Sequence, residues 1–193
     1  LKALIDSYEA TGEKRYLDLA ESHAEFVIGN FKDYRGFSDR IHEDDVGNLS
    51  IKNKPIEENS LMAECLLRLA FFNDNEEYKK IAEETLLEFS ASYQFSSIYS
   101  ASYALALEMF LNPVEILIIG TNEKEVQEFF SSSMKYFEPR KFVRILDPIK
   151  DKKIAEKKDL LIVEDYTMVY LCRKGTCLRF TDPIQLEIYK KSA

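Results

Sequence analysis

Apolar residues recur at helical spacing from the first position. Leu1, Leu4, Ile5 and Tyr8 stand at i, i+3, i+4 and i+7, and Gly12 ends the run. A second helical stretch is expected over residues 14–31, followed by a long polar loop over 32–58. Asn59 is placed to cap a third helix over 60–72, whose apolar residues cover almost the whole circumference apart from Glu64 and Arg68. The next helix, 76 to about 91, carries a single apolar stripe of Tyr78, Ile81, Ala82, Thr85, Leu86 and Phe89, with charged residues on the rest. Residues 97–111 are again apolar on every side, with one charge, Glu108.

The first stretch returns 62 positions later: Leu4, Tyr16, Ala20 and Glu21 align with Leu66, Tyr78, Ala82 and Glu83. Two copies of one helical hairpin are the simplest reading. Helices apolar all round alternate with helices polar on one face, as two concentric layers of antiparallel hairpins require, so a partial α/α toroid is expected. In that arrangement the inner helices need cover from the remainder of a parent chain or from a second copy. A chain that opens without Met, inside a helical pattern, reads as the C-terminal part of something longer.

After Asn112-Pro113 the period changes. Val114 to Ile119 is a continuous β-branched run, Asn122 with Glu125 marks a helix start, residues 126–137 are helical and 142–146 form a second strand. Strand, helix, strand within so short a span predicts a parallel pair. Further strands at 160–163 and 168–172, then a helix from Asp182 to about Lys191, complete the expected tail. The fold class is therefore α+β: a helical domain over 1–112 and a small α/β domain over 113–193 with a mostly parallel sheet.

Composition narrows the partners. Against 26 basic residues stand 34 acidic ones, a net charge of -8, which argues against nucleic acid because phosphate neutralisation needs clustered Lys and Arg. No apolar run reaches the length of a membrane span and no secretory segment is present, so a cytoplasmic protein is expected. The 46% of apolar residues suffice for a buried core.

Chemistry concentrates in two places. The loop carries Asp39, Arg40, His42, Glu43, Asp44 and Asp45, with Glu57 and Glu58 at its far end. Paired carboxylates at the mouth of a helical ring could do acid–base work on a sugar, making Asp39, His42, Glu57 and Glu58 the catalytic candidates. A solvated acidic loop is the plainer reading. Adjacent loop residues beside His42 do not by themselves converge on a metal, and no metal is expected. His23, in mid-helix among apolar residues, reads as a packing histidine.

The second place is Cys172 and Cys177, bracketing Arg173-Lys174-Gly175-Thr176. A turn at Lys174-Gly175 brings the two thiols together as a structural pair or disulfide, while the flanking cations would suit a redox role. Gly120 follows a strand and precedes a helix, but a single glycine among Glu123 and Glu125 reads as a chain turn, so no cofactor is expected. Cys65, on the all-apolar helix, reads as an inert small hydrophobe.

The segment Tyr170-Leu171-Cys172-Arg173-Lys174-Gly175-Thr176-Cys177, with Thr181-Asp182-Pro183 after it, resembles the closing segment of the thioredoxin-domain-containing proteins of the bacterial YyaL-type and the animal spermatogenesis-associated type. Tyr8-Glu9-Ala10-Thr11-Gly12 with Tyr16-Leu17, and Asn59-Ser60 before Leu66-Leu67-Arg68-Leu69-Ala70, are similar to that family as well. The resemblance implies an N-terminal thioredoxin-like domain, an (α/α)6 toroid like that of six-hairpin glycosidases, and a small α/β segment at the end, with no assigned activity. Where that family has a Pro-Ser-Gly segment before the inner helix, Ile56-Glu57-Glu58 stands here. Three functions follow as expectations: a C-terminal piece without its own activity, a carbohydrate-active enzyme with a sugar ligand at the toroid mouth, or a redox-linked interaction module.

Overall fold

The computed structural model describes residues 1–41, 52–163 and 166–192, and is α+β. Packing divides the chain into two compact units, Leu1–Leu111 and Asn112–Ala193. Among the described residues no helix is long and apolar enough to cross a membrane.

The first unit is built on α3, Ile56–Asn73, which packs against α1 (Lys2–Thr11), α2 (Lys14–Phe31), α4 (Glu76–Phe89) and α5 (Ser100–Leu111). Four neighbours explain its all-round apolarity: Met62, Cys65, Leu66, Leu69 and Phe72 are buried on different sides. The repeat has a packing counterpart, since Ala20 on α2 and Ala82 on α4 are both fully buried. Gly12 closes α1 at φ 71°, its N–H donating to the carbonyl of Tyr8, and Asn75 caps α4 by accepting from the N–H groups of Glu77 and Tyr78.

Arg68, which interrupts the apolar surface of α3, is itself 4% exposed. Its guanidinium meets Asp6 at 2.7 Å, Glu9 at 2.6 Å and Glu64 at 3.7 Å, so a buried cation is neutralised by carboxylates from α1 and its own helix.

Three expectations for this unit are corrected. Asn59 is not an N-cap: α3 starts at Ile56 after Pro55, whose fixed φ suits a helix entrance, and Asn59 lies inside the first turns. Residues 97–111 are not buried on every side. A 3-10 segment, Tyr93–Tyr99, precedes α5, and on α5 only Tyr103, Ala106 and Met109 are buried, while Ile98, Tyr99 and Leu111 stand more than half exposed. Apolarity around a helix requires neighbours on each side to become burial, and the main packing of α5 among the described residues is against α3, α4 and the 3-10 segment. His23 is exposed, because the buried stripe of α2 runs through Leu17, Ala20 and Ala24 instead.

The second unit is a four-stranded sheet in the order β2-β1-β3-β4, formed by β1 (Val114–Ile119), β2 (Lys141–Leu146), β3 (Met168–Arg173) and β4 (Thr176–Phe180). β1 and β2 are parallel, joined through α6 (Glu123–Lys135). The expected mostly parallel sheet is corrected: β3 runs antiparallel to β1, and β4 antiparallel to β3. The cause is local. Lys174 (φ 47°) and Gly175 (φ 76°) form a two-residue turn with both residues left-handed, which returns the chain alongside itself. Residues 160–163 form no strand; they follow α7 (Lys152–Lys157) without regular secondary structure.

One sheet face, through Val114, Ile116, Ile118, Val143, Val169 and Leu171, shares a core with Phe129 of α6 and Leu186 of α8 (Pro183–Ser192). The other carries Leu117, Ile119, Phe142, Tyr170 and Cys172, all buried. Being covered on both faces, β1 reads as an unbroken apolar run rather than an alternating one.

Candidate functional site

The cleft with the chemistry anticipated for this chain lies in the first unit, beside the start of α3. Its volume is about 430 Å³, and its floor is apolar: Val27 and Phe31 from the end of α2, Phe37 from the following loop, and Met62 and Cys65 from α3. Asp39 and Glu58 stand on its wall with Ser38, Asn59 and Lys2. Two of the four acid–base candidates are thus brought to one cavity. Glu57, exposed in the first turn of α3, does not line it, and His42 lies outside the described residues.

The cleft exists because loop 32–41 is pinned to α3 through one side chain. Lys32 and Phe37 form an antiparallel bridge in which Asp33 N–H donates to Gly36 O and Ser38 N–H to Phe31 O. The amide groups of Phe37 therefore point away from the bridge, towards α3. Asn59 meets them: its Oδ1 accepts from Phe37 N–H at 2.6 Å, and its Nδ2 donates to Phe37 O at 2.9 Å and to Pro55 O at 2.8 Å. A carboxamide presents one acceptor and one donor side by side, matching the edge of a peptide. Gly36 is required by the same contact, with φ 74° and a place where a Cβ would come 2.7 Å from Asn59 Oδ1.

A second tie is ionic. Lys54 donates to Arg35 O at 2.6 Å and pairs with Asp33 at 3.6 Å and Glu88 at 3.3 Å, joining the loop to α4. Asp39 is held by Asn53, whose N–H donates to Oδ1 at 3.2 Å and whose Nδ2 donates to Oδ2 at 3.4 Å, with Arg40 alongside. The Asn53 backbone N–H is the largest influence drawing the Asp39 carboxyl below its ordinary range, so it is a carboxylate at neutral pH. Ser38 Oγ is buried without a hydrogen-bond partner among the described residues. Burial pushes the Cys65 thiol up to about 11, which leaves it protonated and unreactive on the floor.

What this arrangement can do is hold a ligand by an apolar face and anchor it at a polar rim. Glycoside hydrolysis uses one protonated and one ionised carboxyl, and Asp39 is in the ionised state of the second. The Asn59 clamp escaped sequence reading, which saw only a capping residue.

In the second unit Cys172 and Cys177 are register partners across β3 and β4 and are joined by a disulfide, with their Cα atoms 4.0 Å apart. Gly120 serves packing: a Cβ there would lie 2.5 Å from Thr167 Oγ1, so the side chain of Thr167 fills the space a phosphate cradle would need. Among the described residues no group of three or more His, Cys, Asp or Glu is placed to hold a metal. The chain matches no protein-family model and no curated protein.

Proposed function

We propose that this chain is the C-terminal part of a cytoplasmic protein of the thioredoxin-domain-containing type that its closing segment resembles, and that its helical unit is a non-catalytic binding module for a small sugar. On this reading α1 to α5 belong to a partial ring of paired helices. The exposed stripe of α5 is then where the remainder of the parent chain, or a second copy, packs.

One observation carries the sugar assignment: Asp39 and Glu58, far apart in sequence, stand on the wall of one cleft whose floor includes Phe31 and Phe37. Sugars offer an apolar C–H face to aromatic rings and hydroxyl groups to carboxylates, and mostly apolar clefts of this size with few polar groups are typical ligand sites. As an ionised carboxylate Asp39 can accept hydrogen bonds from sugar hydroxyl groups.

The test is thermal unfolding of the full chain with a panel of mono- and disaccharides, beside a Leu61→Trp variant that narrows the cleft, which Leu61 also lines from its exposed position on α3. A sugar at a hundred times its dissociation constant adds about 2.7 kcal/mol of stability, a readily measured rise in midpoint. The rise is expected in the parent and not in the variant. A panel that shifts neither protein removes the sugar reading.

A further inference from the structure

We propose that Cys172 and Cys177 form a thiol–disulfide exchange site for a dithiol-bearing partner, with Cys177 as the exchanging sulfur and Glu115 as the proton acceptor for Cys172. The bond joins residues five apart in a strand pair already fixed by its two-residue turn and a five-position ladder. A loop so short removes little freedom from the unfolded chain, so the fold has small need of the bond. The exchange role rests on the cytoplasmic reading proposed above, since in a reducing compartment such a bond is transient and chemical rather than structural.

The surroundings of the two sulfurs differ. Cys172 is 7% exposed, whereas Cys177 is half-buried on the edge strand, beside solvent. Arg179, two positions along β4 and so on the same face as Cys177, is exposed, as is Lys174 in the turn. These cations favour a thiolate at Cys177. Cys172 faces a different neighbour: Glu115 of β1 is its register partner on the other side. Successive cross-strand partners project from one face, so Glu115, Cys172 and Cys177 form a row across three strands. Glu115 is held by an ion pair with Lys158. A carboxylate in that row is placed to receive the proton of Cys172 when it attacks.

The exchange balances as follows. A partner thiolate attacks Sγ of Cys177 and forms a mixed disulfide; the Cys172–Cys177 bond breaks, and its electron pair stays on Sγ of Cys172, which takes a proton. The second partner thiol, deprotonated, then attacks its own sulfur in the mixed disulfide. The partner leaves oxidised to its disulfide, and Cys177 leaves as a thiolate that takes up a proton. Two electrons and two protons have passed to the pair. In the reverse direction Glu115 accepts the proton of Cys172 as it closes the bond.

The test uses the full chain in buffers of reduced and oxidised glutathione or dithiothreitol, with maleimide labelling counted by mass and folding followed by circular dichroism. Two cysteines are expected to label on the folded protein, leaving Cys65 untouched. Cys172→Ser should trap glutathione on Cys177 at least about tenfold faster than Cys177→Ser traps it on Cys172. Glu115→Gln should slow closure of the reduced pair about tenfold or more and flatten its pH profile, while Lys158→Met, which removes the same ion pair but keeps the carboxylate, should retain the profile's shape. Labelling that appears only on unfolding, or equal trapping by both single-cysteine variants, would overturn the exchange site. Matching profiles for Glu115→Gln and Lys158→Met would overturn the role of Glu115, even where both variants melt lower.

Discussion

Replacing Asn59 by alanine tests the architecture of the cleft most directly. The side chain is 1% exposed and makes three hydrogen bonds, two of them to the amide groups of Phe37, itself 5% exposed. Pro55 O keeps a partner in the variant, because the backbone N–H of Asn59 also donates to it at 3.1 Å. The N–H and C=O of Phe37 lose the partner that faces them. Each unpaired buried group costs about 1–3 kcal/mol, so Asn59→Ala is expected to lose about 2–5 kcal/mol, the lower end if water enters behind the loop. With a slope of about 2 kcal/mol per molar urea, the unfolding midpoint followed by circular dichroism should fall by about 1–2.5 M.

Asn59→Asp sharpens the test. It keeps an acceptor for Phe37 N–H but sets a carboxylate oxygen against Phe37 O and Pro55 O, so at neutral pH it should be at least as damaging as alanine. Protonation restores a donor. The introduced carboxyl therefore has a folded-state pKa above its unfolded value of about 3.9, and its penalty, full above the folded value, should shrink as pH falls towards about 4. An alanine variant within about 0.5 kcal/mol of the parent would refute the clamp, since that is the ordinary range of an unimportant surface change.

Two further outcomes follow from the electrostatics. Arg68→Met leaves the carboxylates of Glu9 and Glu64 without their buried cation and should cost about 3 kcal/mol in urea unfolding, a loss that narrows at acid pH as those carboxyls protonate; an unchanged midpoint would show that the ion cluster contributes nothing. Asp39, Glu138 and Asp147 are all drawn below the ordinary carboxyl range, by the Asn53 N–H, by Arg140, and by the N–H groups of Lys150 and Ile149 respectively. Their contributions are present above the unfolded values near 4 and are lost as pH falls through the lower folded values, so the thermal midpoint should drop on acidification below about pH 4, and less steeply in Asp147→Asn.

Much of the fold was legible because local rules were obeyed. The single stripe of α4, the Asn122 cap, the apolar run of β1 and the Lys174-Gly175 turn each carry their cause within a few residues. The site was legible in part: Asp39 and Glu58 were visible as carboxylates, but that they share a cleft depends on Asn59 reaching loop residue Phe37 across 22 positions. Nothing in the spacing of Asn59 separates a helix cap from a clamp, since both use the same amide.

The order of apolar and polar residues alone determined most of the stretches that become helix or strand, because hydrophobic period and turn chemistry act within a few residues. Tertiary structure decided the rest. It left α5 half exposed although its composition suits burial, since burial depends on neighbours and not on the helix itself. It made the sheet mixed by bringing β3 antiparallel onto β1. It also placed Glu115, Cys172 and Cys177 in one row, because strand pairing joins residues that are remote along the chain.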